Sequence, residues 1–207
     1  MAISNYTELQ TAITNWIDRD DLVARIPEFI ALAEAKINRT LRIQSMEVLD
    51  EAFIINAGTE TLPTGFKAAK RFYIDASPRR DLKYLPSSRL NSTDLAANAA
   101  GQPFYFTYEG DSFRFRPEPN SSFTAVLLYW KAFDPLSTTP TNDLLTNSPD
   151  VYLYGALAEA APFLVDNELM ATYVALFNQS LQSVQDEDDR NRVSGSELTP
   201  RARGSTP

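Results

Sequence analysis

The chain has no cysteine and no histidine in its 207 residues, so at neutral pH the groups that could move a proton or hold a cation are chiefly its 27 Asp and Glu. That double absence removes Ser-His-Asp and Cys-His triads, imidazole shuttles, thiolate nucleophiles, disulfides and the usual zinc sites. Paired carboxylates would still suffice for glycoside hydrolysis, because two Asp or Glu side chains from distant segments can serve as acid and base. Glu34 and Glu159 lie among apolar helix-forming residues and are the two expected to be partly buried. A carboxylate on a helix surface or bundle edge, paired with an arginine, accounts for both without catalysis.

Other chemistries are served less well. Asp186, Asp188 and Glu197 occupy positions 1, 3 and 12 of a calcium-loop spacing, but Arg190 and Asn191 stand at positions 5 and 6, where a ligand and a glycine are needed. The seven glycines form neither a phosphate-binding loop nor a dinucleotide fingerprint. The stretch SFRFRP, residues 112–117, mixes rings and arginines as a single-strand stacking platform does, and equally as an ordinary amphipathic sheet face does. The expectation is a protein with no catalytic residue, no metal and no cofactor.

The elements that would position these groups follow from periodicity and punctuation. Thr7 is a candidate cap for a first helix, with Leu9, Ile13, Trp16 and Ile17 at helical spacing. Pro27 suits the first turn of a second helix, where Ile30, Ala33, Ile37 and Leu41 form one stripe. From about Met46 the pattern changes to short β-branched and aromatic runs, bounded by Gly58, Pro63, Gly65 and Pro78. Ser87 or Ser88 could cap a short helix stopped at Gly101. Phe104, Phe106 and Tyr108, then Phe113 and Phe115 beyond Gly110, spell a hairpin, and FTAVLLYWKAF reads as a third strand of the same sheet. After a long loop, Asn147 or Ser148 could cap a helix opened by Pro149 and Asp150 and ended or kinked near Pro162. A last helix places Leu169, Tyr173, Phe177, Leu181 and Val184 on one face.

These pieces predict an α+β fold. Residues 1–45 and 136–189 form a helical bundle, 46–135 a β-rich insertion, and 190–207 an extended C-terminal arm. No apolar run approaches the ~20 residues of a membrane span, and the opening MAISNYTELQ lacks the layout of a secretory signal, so a protein that is neither membrane-bound nor exported by that route is expected.

The net charge of −8 is unevenly placed. Between Ala132 and Asp189 there are ten acids and no Lys or Arg, whereas the stretch from Arg190 onward carries four Arg against Glu197. A solvated acidic face explains the first feature, and so does a surface that must not stick to nucleic acid. The ending DEDDRNRVSGSELTPRARGSTP has two readings. Asp186 with Arg190 and Asp188 with Arg192 are i,i+4 pairs that could finish a helix before a frayed end. Alternatively, Arg192, Val193, Leu198, Arg201 and Arg203 are contacts of an arm that orders on a partner.

Three stretches carry a family resemblance: YTELQTAITNWIDRDDLVARIPEFIALAEAKINRTLR at 6–42, LLTNSPDVYLYGALAEAAPFLVDNE at 144–168, and the closing DDRNRVSGSELTPR. Together they resemble the head-to-tail adaptor, or connector, proteins of short-tailed bacteriophages. The β-rich middle is similar in layout more than in sequence. The resemblance implies a structural virion protein at the head–tail interface, assembled in the host cytoplasm. It would form a homo-oligomeric ring, commonly a dodecamer, beneath the portal protein. The ring would extend the DNA channel and offer a platform for a tail nozzle and sometimes fibres, with genomic DNA passing through unbound. It also implies that Arg190 through Pro207, with Arg190, Arg192, Val193, Leu198, Arg201 and Arg203, form a portal-docking arm. In such a ring the acidic helices, with Glu159, Asp166 and Glu168 as candidates, would wall the channel and repel phosphates. The competing readings are another tail accessory or fibre-attachment protein, and a carboxylate-based cell-wall hydrolase.

Overall fold

The computed structural model describes residues 3–77, 79–92, 100–164 and 167–193. It is a mixed α and β protein whose chain divides into two compact units, Met1–Gln44 with Pro135–Pro207, and Ser45–Asp134. The first piece holds α1 (Tyr6–Ile17), a 3₁₀ turn (Asp20–Arg25) and α2 (Ile26–Thr40). Ser45–Asp134 carries β1 (Glu47–Ile55), β2 (Thr59–Thr61), β3 (Phe66–Ile74), β4 (Arg80–Asp81), β5 (Lys83–Tyr84), α3 (Ser87–Ser92), β6 (Tyr105–Glu109), β7 (Ser112–Arg116) and β8 (Phe123–Lys131). The last piece holds α4 (Asp143–Asn147), α5 (Pro149–Leu164) and α6 (Asn167–Val193).

In the helical unit, α1 is capped by Asn5, whose side chain accepts from the Glu8 amide at 3.0 Å. Thr7, the cap expected from sequence, lies inside the first turn. Asn5 stands three residues before Glu8, the separation at which a capping oxygen reaches an orphan amide. Pro27 opens α2 as expected. The loop expected before α5 contains the one-turn α4, because Asn142 caps it through the Leu145 amide at 2.8 Å and Leu144 and Leu145 are buried beneath it.

α5 carries only Asp150 and Glu159 as charges, and its apolar residues surround the axis, which is the composition of an interior helix. Val151, Tyr152, Ala156, Leu157, Ala160 and Ala161 are all buried, and α1, α2 and α6 pack against it. The helices draw closest at Gly155. A Cβ there would sit 2.9 Å from the Phe177 ring and 3.0 Å from the Ala33 Cβ, so a glycine is required. α5 continues through Pro162 to Leu164. The helix thus ends two residues past Pro162, in keeping with the end expected near that proline, which cannot donate to the carbonyl four residues before it.

The Ser45–Asp134 unit is built from two four-stranded sheets, ordered β1-β8-β3-β4 and β2-β7-β6-β5. β6 and β7 form the expected hairpin, turned at Gly110 with φ 58°. β8, expected beside that hairpin, belongs to the other sheet, between β1 and β3. The reason is packing: Ala125, Leu127 and Tyr129 of β8 fill the core that Phe106, Phe113 and Phe115 also fill from the hairpin's sheet. Residues that share a core this way oppose one another across it instead of pairing edge to edge.

Candidate assembly interface

α6 is the element that most clearly carries unspent surface. At 27 residues it extends roughly 40 Å. Tyr173, Phe177 and Leu181 are buried along the expected face, with Val184 half-buried. Leu169, expected on the same face, is 40% exposed, and Met170 (38%) and Val174 (40%) are exposed beside it. Between Glu168 and Asp186 the helix has no charged residue. Its exposed positions there include Asn178, Gln179, Gln182 and Ser183. A solvated helix face of this length ordinarily carries Lys and Glu, whereas depletion of charge marks the centre of protein–protein interfaces. Trp16 of α1, half exposed, packs edge-on to Tyr154 of α5 with ring centroids 6.1 Å apart and tilts against Tyr173 of α6 at 6.5 Å.

The charges of α6 sit at its ends. Glu168 is in the first turn, where a carboxylate complements the helix dipole. At the other end Asp188 is buried, accepting from the Gln44 amide at 2.7 Å and from Arg192 Nε at 2.5 Å. Asp186 accepts from Gln182 Nε2 at 2.7 Å. Arg190, Arg192 and Val193, expected in an extended arm, are therefore the last turn of α6. The Asp188–Arg192 pair and the two arginines at the negative end of the dipole favour helix there. Leu198, Arg201 and Arg203 lie outside the described residues, as does Asp166.

Glu159 does not stand as an open wall carboxylate: it faces α2, pairs with Lys36, and its side chain is 15% exposed. Glu34 is likewise structural, accepting from the Leu136 amide at 2.7 Å. Burial pushes the Glu34 carboxyl above its ordinary value, with the Leu136 amide opposing the shift. Burial also raises Tyr152, whose hydroxyl accepts from Asn142 Nδ2 at 2.7 Å, and Tyr6, and Glu34 adds to both shifts. The two partly buried carboxylates legible in the sequence are thus tied to an amide and a lysine, not to each other. Sequence reasoning paired Asp188 with Arg192, as found, but missed its bond to the Gln44 amide, and missed the exposed Met170 and Val174. The latter had a signal, since they fall outside the single apolar stripe that α6 needs for its core.

Among the described residues no helix is long and apolar enough to cross a membrane, and no cluster of three or more acids is placed to hold a metal. The sequence matches the model of the SU10 adaptor protein family over residues 4–201. A search of curated proteins finds no match.

Proposed function

The chain belongs to the SU10 adaptor protein family, and from that footing we propose that it is a non-enzymatic component of a phage virion that forms a ring between portal and tail. The observation that carries the reading is the extent of the match, which takes in residues of both units. The building block is a bundle of the N- and C-terminal helices with the β-rich unit inserted. The ring, a dodecamer in the form the resemblance implies, extends the DNA channel and receives the tail nozzle, and sometimes fibres, on its tail side.

The uncharged length of α6, with Met170, Val174 and neighbouring Trp16 exposed, supports burial against a second copy. A head-to-tail contact of this kind closes into a ring when its rotation closes. Asp166 and Glu168, near the start of α6, are the wall candidates. Glu159 adds little, because Lys36 neutralises it. The portal-docking segment is the stretch after Val193, with Leu198, Arg201 and Arg203 as contacts. Arg190, Arg192 and Val193 join it where the last turn of α6 opens.

Native mass spectrometry of the full chain, alone and with portal rings, tests the reading beside a chain ending at Val193, which keeps the Asp188–Arg192 pair. Addition of the full chain to portal in a fixed multiple stoichiometry, lost in the shortened chain, is the expected outcome. A monomer that ignores portal in both forms would overturn it and favour a tail accessory protein.

A further inference from the structure

The segment Phe66–Tyr84 is the most basic part of an acidic chain, with Lys67, Lys70, Arg71, Arg79, Arg80 and Lys83 against Asp75 and Asp81. It includes β3, which lies between β8 and β4 in its sheet. β8 runs along the whole of β3, but β4 meets only Tyr73 and Ile74, and the Leu82 amide then donates to the Phe72 carbonyl at 2.8 Å. From Phe66 to Arg71, among the described residues, β3 has a strand on one side only. The chain that crosses from β4 to β5 leaves beside this open edge a cavity of about 290 Å³, lined by Ala69, Lys70, Phe72, Leu82, Tyr84 and Phe106 among others.

An open edge of this kind invites pairing, and proteins protect it with lysines and bulges. Both are present. The register of β3 on β8 slips between Phe66 and Ala68 and again between Ala69 and Arg71, so the residues passed over are Lys67 and Lys70. At the second slip the Ala69 amide donates to the Tyr108 hydroxyl at 3.1 Å. Glu47 takes up Lys70 at 2.7 Å and Asp81 meets Arg71 at 3.4 Å, which leaves the segment with an excess of positive charge. Lysines on an edge repel an arbitrary apolar strand and attract one bearing carboxylates.

We propose that the open edge of β3 is a docking site for an extended acidic segment of a partner polypeptide, added as a strand in line with β4. Main-chain bonds to the Lys67–Arg71 stretch, apart from the Ala69 amide that Tyr108 holds, supply the affinity, as in other strand-addition complexes. The inward side chains of the guest enter the cavity against Phe72, Leu82 and Phe106, and its outward carboxylates meet Lys67 and Lys83. The aromatic and basic character of the surface also suits single-stranded nucleic acid. The open backbone edge, which a nucleic acid cannot pair with as a strand does, favours a peptide.

The test uses the full chain and three labelled probes: a short peptide alternating Val and Thr between pairs of glutamates, the same peptide with lysines for the glutamates, and oligothymidine. Fluorescence anisotropy should show the acidic peptide binding about tenfold more tightly than its lysine counterpart, the effect of a few rim charges. Hydrogen exchange should slow within Phe66–Phe72. Lys70→Pro, tolerated on an edge strand but unable to donate, should abolish binding with the circular dichroism spectrum unchanged. Should that variant misfold, Lys67→Glu with Lys83→Glu keeps the backbone and should reverse the preference between the two peptides. Binding of oligothymidine alone, absence of peptide binding, or peptide binding indifferent to these substitutions would each overturn the assignment.

Discussion

The two units close their cores with opposite materials. In the helical unit the tightest point is Gly155, a residue with no side chain, against which Ala33 and Phe177 press. In the sheet unit the centre is a lattice of rings: Phe113 lies 5.3 Å from Phe66 and Phe72, 5.6 Å from Phe53 and 6.0 Å from Phe115, centroid to centroid. Helices can approach until their backbones almost touch, so small residues set their separation, whereas stacked sheets stand ~10 Å apart and need large side chains to fill the gap. The same mutation should therefore have different meanings in the two places: loss of volume harms the sheets, and gain of volume harms the helices.

Phe113→Ala should break the comparison most forcefully, costing about 3–5 kcal/mol of stability in urea titration. Exchange of amides should accelerate within Ser45–Asp134. Gly155→Val tests the other side, with an expected loss of about 2–3 kcal/mol from overpacking, and accelerated exchange in α2, α5 and α6. If the volume-adding change proves harmless, the close approach at Gly155 is not what sets the helix spacing.

Polar latches sharpen the contrast, since the helical unit holds them at its margins. Asp188→Ala leaves the Gln44 amide without its acceptor and Arg192 without its partner. An expected cost of about 1–3 kcal/mol would be read from the thermal unfolding midpoint. The smallest effect belongs to Glu34→Gln, which retains an acceptor for the Leu136 amide. Because burial raises the folded-state value of Glu34, its contribution is fully present at acid pH and is lost as pH rises through that value. Relative to the parent, the glutamine variant should gain stability from acid to neutral pH. A parallel pair of stability–pH curves would show that Glu34 does not titrate differently on folding.

Much of the local structure was legible. Pro27 and Pro149 marked helix starts, the Phe104–Phe115 alternation marked the hairpin, and Tyr173, Phe177 and Leu181 marked the inward face of α6. What escaped were decisions made between distant residues. β8 has the same alternation whichever sheet receives it, so only the shared core with Phe106 and Phe113 decides its place. The last turn of α6 had two readings, a helix end closed by the Asp188–Arg192 pair or the beginning of a polar arm, and the sequence did not choose between them. It is helical because Asp188 is held 144 positions away by Gln44. Burial of Glu34 and Glu159 could be inferred from their apolar neighbours, but the Leu136 amide and Lys36 that hold them had no local signature.

The division of the chain also imposes an order on synthesis. Ser45–Asp134 is one uninterrupted stretch, whereas the helical unit is made of two pieces that it separates. When α1 and α2 emerge from the ribosome, the α5 surface that covers Phe29, Ile30 and Ala33 has not been translated. The β-rich unit can complete its core first, as contiguous domains do during translation. The helical unit must hold its first two helices open until the chain has grown past Phe177, and its Gln44–Asp188 latch closes later still. In that interval the nascent chain exposes the apolar stripe of α2, which makes this the stretch of the protein's life in which a chaperone has most to offer it.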